Sequence, residues 1–301
     1  MEDSLSAFKS TQLAADHYSA DFSLGNYLER TKRNHFWLGG VQGQLKLKSL
    51  RVGIAGLGGM GGGIAAALVR LGVGHLKIAD PDRVELSNLN RQIVARSTNV
   101  GLSKLEEMTK ELRLISQDFE LVTYPQGITP DNVQEFVQDL DVLIDEIDVF
   151  PLSAHLLLHR AAQDHKLPIY SCYVVGLGVH LYKFHGDEFT FEDFLGTEKD
   201  MIHHPSGQFL LDRFGAPLPS YLRSGPRLSD FHQELSHGRV PIFGASCLLG
   251  HAMVPIRVVV DCLGLSESLK IPRTPTMPKF LVLDPLDFEF QLTQRAVSCV
   301  S

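Results

Sequence analysis

Cysteine is scarce and poorly placed for either metal or disulfide chemistry. Four occur in 301 residues, Cys172, Cys247, Cys262 and Cys299, and none are spaced as CxxC. A zinc ribbon therefore has no support, nothing reads as a disulfide framework, and a reducing cytoplasm is the expected compartment. Positive charge is also short: 28 Lys and Arg against 35 Asp and Glu leave a formal charge of −7. The chain as a whole thus offers no sequence-independent attraction to nucleic-acid phosphates. No apolar run approaches the roughly 20 residues of a membrane span. The N-terminal MEDSLSAFKSTQLAADHYSADF has no apolar stretch suited to a secretory signal. Apolar residues are plentiful, 44% against 21% charged, enough to bury a core without metal or disulfide staples.

A repeating strand–helix pattern organises the chain. Residues 1–25 lack hydrophobic periodicity and are expected to form a flexible arm. Residues 26–49 are an Arg/Lys-rich helical stretch leading to a buried strand at RVGIAGLG (51–58), and GGGIAAALVRLGV (61–73) continues as a helix. Strands at HLKIAD (75–80), FELVTYP (119–125), DVLIDEI (141–147) and PIYSCYV (168–174) then alternate with helices at SKLEEMTKELRLIS (103–116), TPDNVQEFVQ (129–138) and SAHLLLHRAAQDH (153–165). This alternation predicts a doubly wound, Rossmann-like α/β domain whose mainly parallel sheet is covered on both faces. The nucleotide-binding core is placed at 50–180. Beyond 180 the pattern degrades, and 185–240, rich in His, Pro, Gly and Phe, reads as a long irregular insertion. Such a loop in a compact domain is usually functional. Residues 241–295 are expected to add the apolar helix GASCLLGHAMVPIRVVVDCLGL (244–265) and two strands in FLVLDPLDFEFQL (280–292). Residues 26–301 are thus read as a single domain.

Gly56, Gly58 and Gly61 spell G-x-G-x-x-G directly after the first strand, with Gly59 inside the same turn. The first glycine permits the tight turn, the second lets backbone approach phosphate, and the third lets helix pack on strand. The helix N-terminus then offers N–H groups to an anion. Asp80, ending the next strand, suits a ribose hydroxyl. These features alone fit an NAD-dependent dehydrogenase, or a purely structural turn. The stretch DPDRVELSNLNRQ (80–92) adds Asn88 and Arg91, and Lys104 follows in VGLSK (100–104). A dehydrogenase has no use for these groups, whereas a triphosphate needs cations and amides to meet the charge on departing pyrophosphate. The plainer reading is a solvated polar loop. Asp148, after a buried strand, stands at the carboxyl edge of the sheet where ligands bind, although it also suits an N-cap. Of thirteen histidines, His203 and His204 with His232 and His237 match no standard zinc spacing. FHGDEFTFEDF (184–194) alternates aromatics with acids and suits a partner-docking surface or an amphipathic edge equally.

Together, GLGGMGG (56–62), LGVGHLKIADPDRVELSNLNRQ (71–92), VGLSK and LIDEID (143–148), with RTKRN (30–34) upstream, resemble the ThiF/MoeB/HesA superfamily. These are the bacterial relatives of ubiquitin-activating enzymes, and the resemblance covers residues 26–180. VGLSK followed by ITPDNVQEF and LIDEID is most similar to the tRNA threonylcarbamoyladenosine dehydratase branch. The last third resembles any branch only through its GAS-type apolar helix. The resemblance implies ATP and magnesium as cofactors. Asp80 and Asp82 would meet the ribose and the neighbouring phosphate loop. Asn88, Arg91 and Lys104 would contact the triphosphate, and Asp148 would serve magnesium and nucleotide geometry. Arg33 falls where the family supplies an arginine across a dimer interface, so a homodimer is expected; a surface arginine on a basic helix is the plainer reading.

The departures bear on chemistry. The zinc-binding CxxC pairs of many relatives are missing, and no cysteine lies between Cys172 and Cys247 to form a thioester or persulfide. Cys247 sits among small apolar residues and suits burial. Val149 follows Asp148 where the family usually has asparagine. Adenylation without a cysteine intermediate survives these changes. The expected activity is ATP-dependent activation of a carboxylate as an acyl-adenylate. The carboxylate is left open between the C-terminus of a small ubiquitin-like or sulfur-carrier protein, a modified-tRNA carboxylate, which the acidic pI disfavours, and a peptide or small acid. A partner-dependent or non-catalytic nucleotide-binding subunit is the other alternative.

Overall fold

The computed structural model describes residues 23–196, 205–286 and 289–294. The expected arm at 1–25 therefore lies outside the described residues, except at its end. There Ser23 Oγ accepts the Asn26 N–H and caps α1 (Leu24–Thr31). The basic helical stretch is divided: a 3₁₀ turn at Lys32–Asn34 and two glycines, Gly39 and Gly40 at φ +79° and +89°, separate α1 from α2 (Val41–Ser49).

Among the described residues eight strands form one sheet in the order β3-β2-β1-β4-β5-β6-β7-β8. They are β1 (Arg51–Ala55), β2 (His75–Ala79), β3 (Glu120–Tyr124), β4 (Val142–Asp145), β5 (Ile169–Val175), β6 (Gly178–Phe184), β7 (Lys279–Asp284) and β8 (Glu289–Gln294). The first five are parallel and the last three add antiparallel. The crossovers carry α3 (Gly61–Leu71), α4 (Lys104–Ile115), α5 (Val133–Val137) and α6 (Leu152–Asp164). Strand order reverses between β1 and β4, which opens a crevice at their carboxyl ends, where α/β sheets bind ligands.

Side-chain alternation explains the two covered faces. Val52, Ile54, Val142, Ile144, Tyr170 and Cys172 enter one core with the apolar sides of α3 and α4. Ala55, Leu143, Ile169 and Tyr173 enter the other with α5 and α6. Both helix layers are therefore required.

β6 has no counterpart in the expected elements. Gly176, at φ +63°, and Leu177 make a tight turn that pairs Val175 with Gly178. The segment expected to be irregular, 185–240, is partly helical: α7 (Phe191–Leu195), α8 (Gly207–Leu210), a π turn at Leu211–Gly215 and α9 (Pro226–Ser236). Local capping explains two of these. Thr190 and Asp193 form a reciprocal capping box on α7, and Pro226 opens α9 at the position where proline is tolerated best. Residues 197–204, including His203 and His204, lie outside the described residues.

In the last third, α10 (Cys247–Cys262) and α11 (Leu265–Leu269) precede the β7–β8 hairpin. The expectation that no apolar run nears span length needs correction. Helical residues Gly244–Cys262 cover 19 residues at mean hydropathy 1.4, enough by length and composition. Half of that stretch is buried, and α10 packs on α3, β5 and β6 with Met253, Val254 and Val258 in the core.

Buried His180 on β6 sets a pH dependence. Its Nδ1 faces the Tyr182 hydroxyl at 3.2 Å, with Phe280 and Asp284 nearby, and burial lowers its pKa to about 4 against a weaker pull from Asp284. Between pH ~6.5 and ~4 the unfolded chain binds a proton that the native chain refuses, so this contribution to stability is lost on acidification, at about 1.4 kcal/mol per pH unit. The expected result is that wild type loses stability over that window more steeply than His180→Asn in parallel denaturant titrations. Equal slopes would contradict this assignment.

Candidate active site

The glycine turn is built for close approach. Gly56 has φ +90°, and a Cβ there would overlap the Glu146 carbonyl at the end of β4. A Cβ on Gly61 would overlap the Gly56 carbonyl, so α3 can start this near β1 only without side chains. Gly58 meets no protein atom closer than the Gln92 amide, 3.9 Å from its ideal Cβ, which leaves its backbone open to the cavity. α3 begins with no side-chain cap and no acid in its first turn, as an anion site requires.

Asp80 holds this turn. One carboxylate oxygen accepts the Leu57 N–H at 2.7 Å and the other the Asp82 N–H at 2.9 Å. Burial pushes the Asp80 carboxyl up, opposed by the charge of Lys104 and by both N–H groups. The resemblance implied contacts from Asp80 to the ribose and to the neighbouring phosphate loop, and the bond to Leu57 is a contact of the second kind. Asp80→Asn would set an N–H against one of the two donors. Its expected cost is ~1–3 kcal/mol, read as a lowered denaturation midpoint together with weakened nucleotide binding.

Lys104, the first residue of α4, is buried and pairs with Asp82 Oδ2 at 2.8 Å, while the Asp82 side chain is 63% exposed. Asp82 therefore presets Lys104. Arg91 donates to the Ser87 carbonyl and to Asn90 Oδ1, both at 3.0 Å, and among the described residues no carboxylate pairs with it. Its aliphatic stem passes over Gly59. Asn88 also shapes its loop. Its Oδ1 accepts the Glu85 N–H at 3.0 Å to cap the 3₁₀ turn Leu86–Asn88, which shapes the loop that carries Arg91.

Asp148 follows β4 and is not an N-cap, since α6 starts at Leu152 with Pro151 before it. Its carboxylate opens to the cavity. The surrounding protein raises its pKa, opposed by the N–H groups of Val149 and Phe150 and by His155. Below it lies a group no motif indicated. Buried Asp145 accepts from His155 Nδ1 at 2.6 Å, from His159 Nε2 at 3.0 Å and from the Ile147 N–H at 3.2 Å. His155 Nε2 lies 2.9 Å from the Asp148 carbonyl. Both ring nitrogens of His155 thus face acceptors only, which assigns it as an imidazolium. Burial disfavours that charge, but Asp145 and the Asp148 carbonyl outweigh it and raise the His155 pKa, while burial lowers that of His159. Phe191 of α7 stacks on His155 with ring centroids 5.4 Å apart.

These groups line one cavity of about 770 Å³: Gly56, Gly58 and Gly59, Asp80 and Asp82, Asn88 and Arg91, Lys104 and Asp148 all border it. Arg33 does not. It is exposed on the 3₁₀ turn after α1, away from the cavity of its own chain. Sequence reasoning missed Gln92, whose buried Oε1 has no partner, and Glu146, whose carboxyl accepts the Cys172 N–H at 3.1 Å. Burial and the adjacent Asp145 charge push the Glu146 carboxyl well up, opposed by the Cys172 N–H. It also missed His251 of α10, which donates through Nε2 to the Gly59 carbonyl at 2.6 Å over the bare Gly63. Only the SNLNRQ context could have flagged Gln92; the others need the fold. Cys247 is buried beside Gly59, and burial pushes its thiol up to about 11.

Comparison with known proteins gives the family. Adenylyltransferase and sulfurtransferase MOCS3 of Aedes aegypti is 36% identical over 149 residues, 49% of this chain and 34% of that protein. Adenylyltransferase and sulfurtransferase uba4 of Aspergillus clavatus is 43% identical over 109 residues, 36% of this chain and 22% of that protein. The matched stretches thus span only 34% and 22% of the length of these curated relatives. Among solved structures, E. coli MccB with ATP has a TM-score of 0.63 at 19% identity, over 90% of this chain and 73% of that one. PaaA has a TM-score of 0.63 at 20% identity, over 93% and 76%. At such identities these show a shared fold. The ThiF family profile matches residues 31–289, a span that takes in the glycine turn, the SNLNRQ loop, Lys104 and Asp148, and the chain belongs to the ThiF family.

Proposed function

We propose that this chain is an ATP-dependent adenylyltransferase. The observation that carries the reading is the convergence of the Gly56–Gly61 turn, Arg91, Lys104 and Asp148 on one cavity at the strand-order reversal. The name adenylyltransferase on the MOCS3 and uba4 relatives supports it. A substrate carboxylate oxygen bonds to the α-phosphorus of ATP, the bond from that phosphorus to the β-bridging oxygen breaks, and pyrophosphate leaves with the electron pair. The glycine turn and α3 N-terminus hold phosphate, and the remaining lone pairs of Asp80 take the ribose. Lys104 and Arg91 meet the charge on pyrophosphate. Catalysis of this kind is positioning and electrostatics, and it requires no side-chain nucleophile. Magnesium fits as a hard cation held by the Asp148 carboxylate and the phosphates, where it would neutralise phosphate charge. Neither zinc nor a cysteine intermediate enters this scheme.

Arg33 favours assembly. It is exposed and does not border its own cavity, and Phe36 and Trp37, close in sequence, are 82% and 63% exposed. The resemblance implies that this position supplies an arginine across a dimer interface, so a homodimer that covers the aromatic pair is part of the proposal, as is a cytoplasmic setting. Calorimetry with ATP, magnesium and NAD tests the nucleotide. ATP binding with no NAD binding is expected; NAD binding without ATP binding would overturn the reading in favour of a dehydrogenase.

A further inference from the structure

The sheet order fixes what each end of the cavity can take. The loop after β3, with Gln126, Gly127 and Ile128, borders one end, followed by Asp80 after β2, the glycine turn after β1 and Asp148 after β4. On the adenylation reading, base, ribose and phosphates would fill that side in turn. The other end lies over the carboxyl end of β5, and a nucleotide seated on the glycine turn leaves it open.

That end is apolar and its wall comes from the segment expected to be irregular. Val174 is the penultimate residue of β5, Phe231 stands on α9, and Val240 and Ile242 follow α9; all four border the cavity while only partly buried. Leu211 and Phe214 of the π turn back them from the core, with Phe214 edge-on to Tyr173 at 5.0 Å. Arg239, the cation at this end, is held by both oxygens of Glu234 at 2.6 and 2.9 Å. Partly exposed apolar side chains facing a cavity gain by covering with apolar surface.

We propose that this limb selects the carboxylate substrate, and that the substrate is an acid bearing a bulky aliphatic or aromatic group within a residue's length of its carboxylate. This rests on the adenylation reading above. A diglycine tail, with no side chains, would leave Val174, Phe231, Val240 and Ile242 facing water, whereas a leucine, methionine or phenylalanine side chain beside the carboxylate would cover them. The segment 205–242 is thus the specificity wall, with its helices packed against the same core that holds Asp145 and His155.

The test is ATP–pyrophosphate exchange stimulated by synthetic tripeptides with free C-termini, ending in Leu, Phe or Met, against peptides ending in Gly-Gly. At least tenfold higher kcat/KM for the apolar set is expected. Phe231→Asp and Phe231→Ala should both reduce the ratio between the two sets at least fivefold, with the aspartate the larger. Gly-Gly peptides that match or exceed the apolar set would overturn the proposal, as would ratios unmoved in both variants. Failure of every peptide to stimulate exchange, while ATP binds by calorimetry, would overturn this substrate class. Absence of ATP binding itself would instead overturn the adenylation reading.

Discussion

Replacing Arg91 with alanine should reduce ATP–pyrophosphate exchange by about 10²–10³-fold, the loss typical when one preorganised donor to developing charge is removed. Arg91 is suited to this because its fold-holding bonds are few: the Ser87 carbonyl and Asn90 Oδ1, both on its own loop. Stability should therefore change by no more than ~0.5 kcal/mol, as for a surface substitution. The effect should fall mainly on kcat, because charge on pyrophosphate builds in the transition state rather than in bound ATP. Purified Arg91→Ala showing wild-type exchange would remove Arg91 from the mechanism.

The second large effect is structural. His155→Ala should destabilise the protein by ~3–5 kcal/mol, as breaking one partner of a buried ion pair does. Asp145 is fully buried, and His159, held neutral, cannot replace the lost imidazolium. The loop after β4 would also lose its tie to the Asp148 carbonyl. His159→Ala should cost less, since it removes a neutral donor and leaves the charge pair intact. Denaturant midpoints of the two variants decide the matter; a His159→Ala cost equal to or above that of His155→Ala would show that the charge assignment is wrong.

The strands and helices of residues 50–175 were legible because their signals are local. Buried runs such as Val142–Asp145 alternate with amphipathic helices, and glycines mark the one turn where a Cβ cannot fit. The site was legible where a single loop carries it: Gly56, Asp80, Arg91 and Lys104 fall within the same two crossovers. Asp145, His155 and His159 were not, because a buried ion pair between a strand end and the next helix leaves no spacing rule in sequence. His251 reaches Gly59 from 192 residues away, past a glycine whose role appears only in three dimensions. β6 escaped because Gly176 and Leu177 make so short a turn that β5 and β6 read as one apolar run. The helices of 185–240 escaped because they are short and stabilised by packing on Phe184, His155 and Tyr173 rather than by their own periodicity.

The central claim is that this cavity forms an acyl-adenylate from ATP and an acid. The most direct measurement is magnesium-dependent ATP–pyrophosphate exchange by the purified chain, with and without extract of its host cells as a source of acid. The account predicts exchange that appears or rises sharply with extract and is lost in Arg91→Ala. Measurable ATP binding with no exchange under either condition would contradict it and leave a nucleotide-binding subunit that depends on a different partner for chemistry.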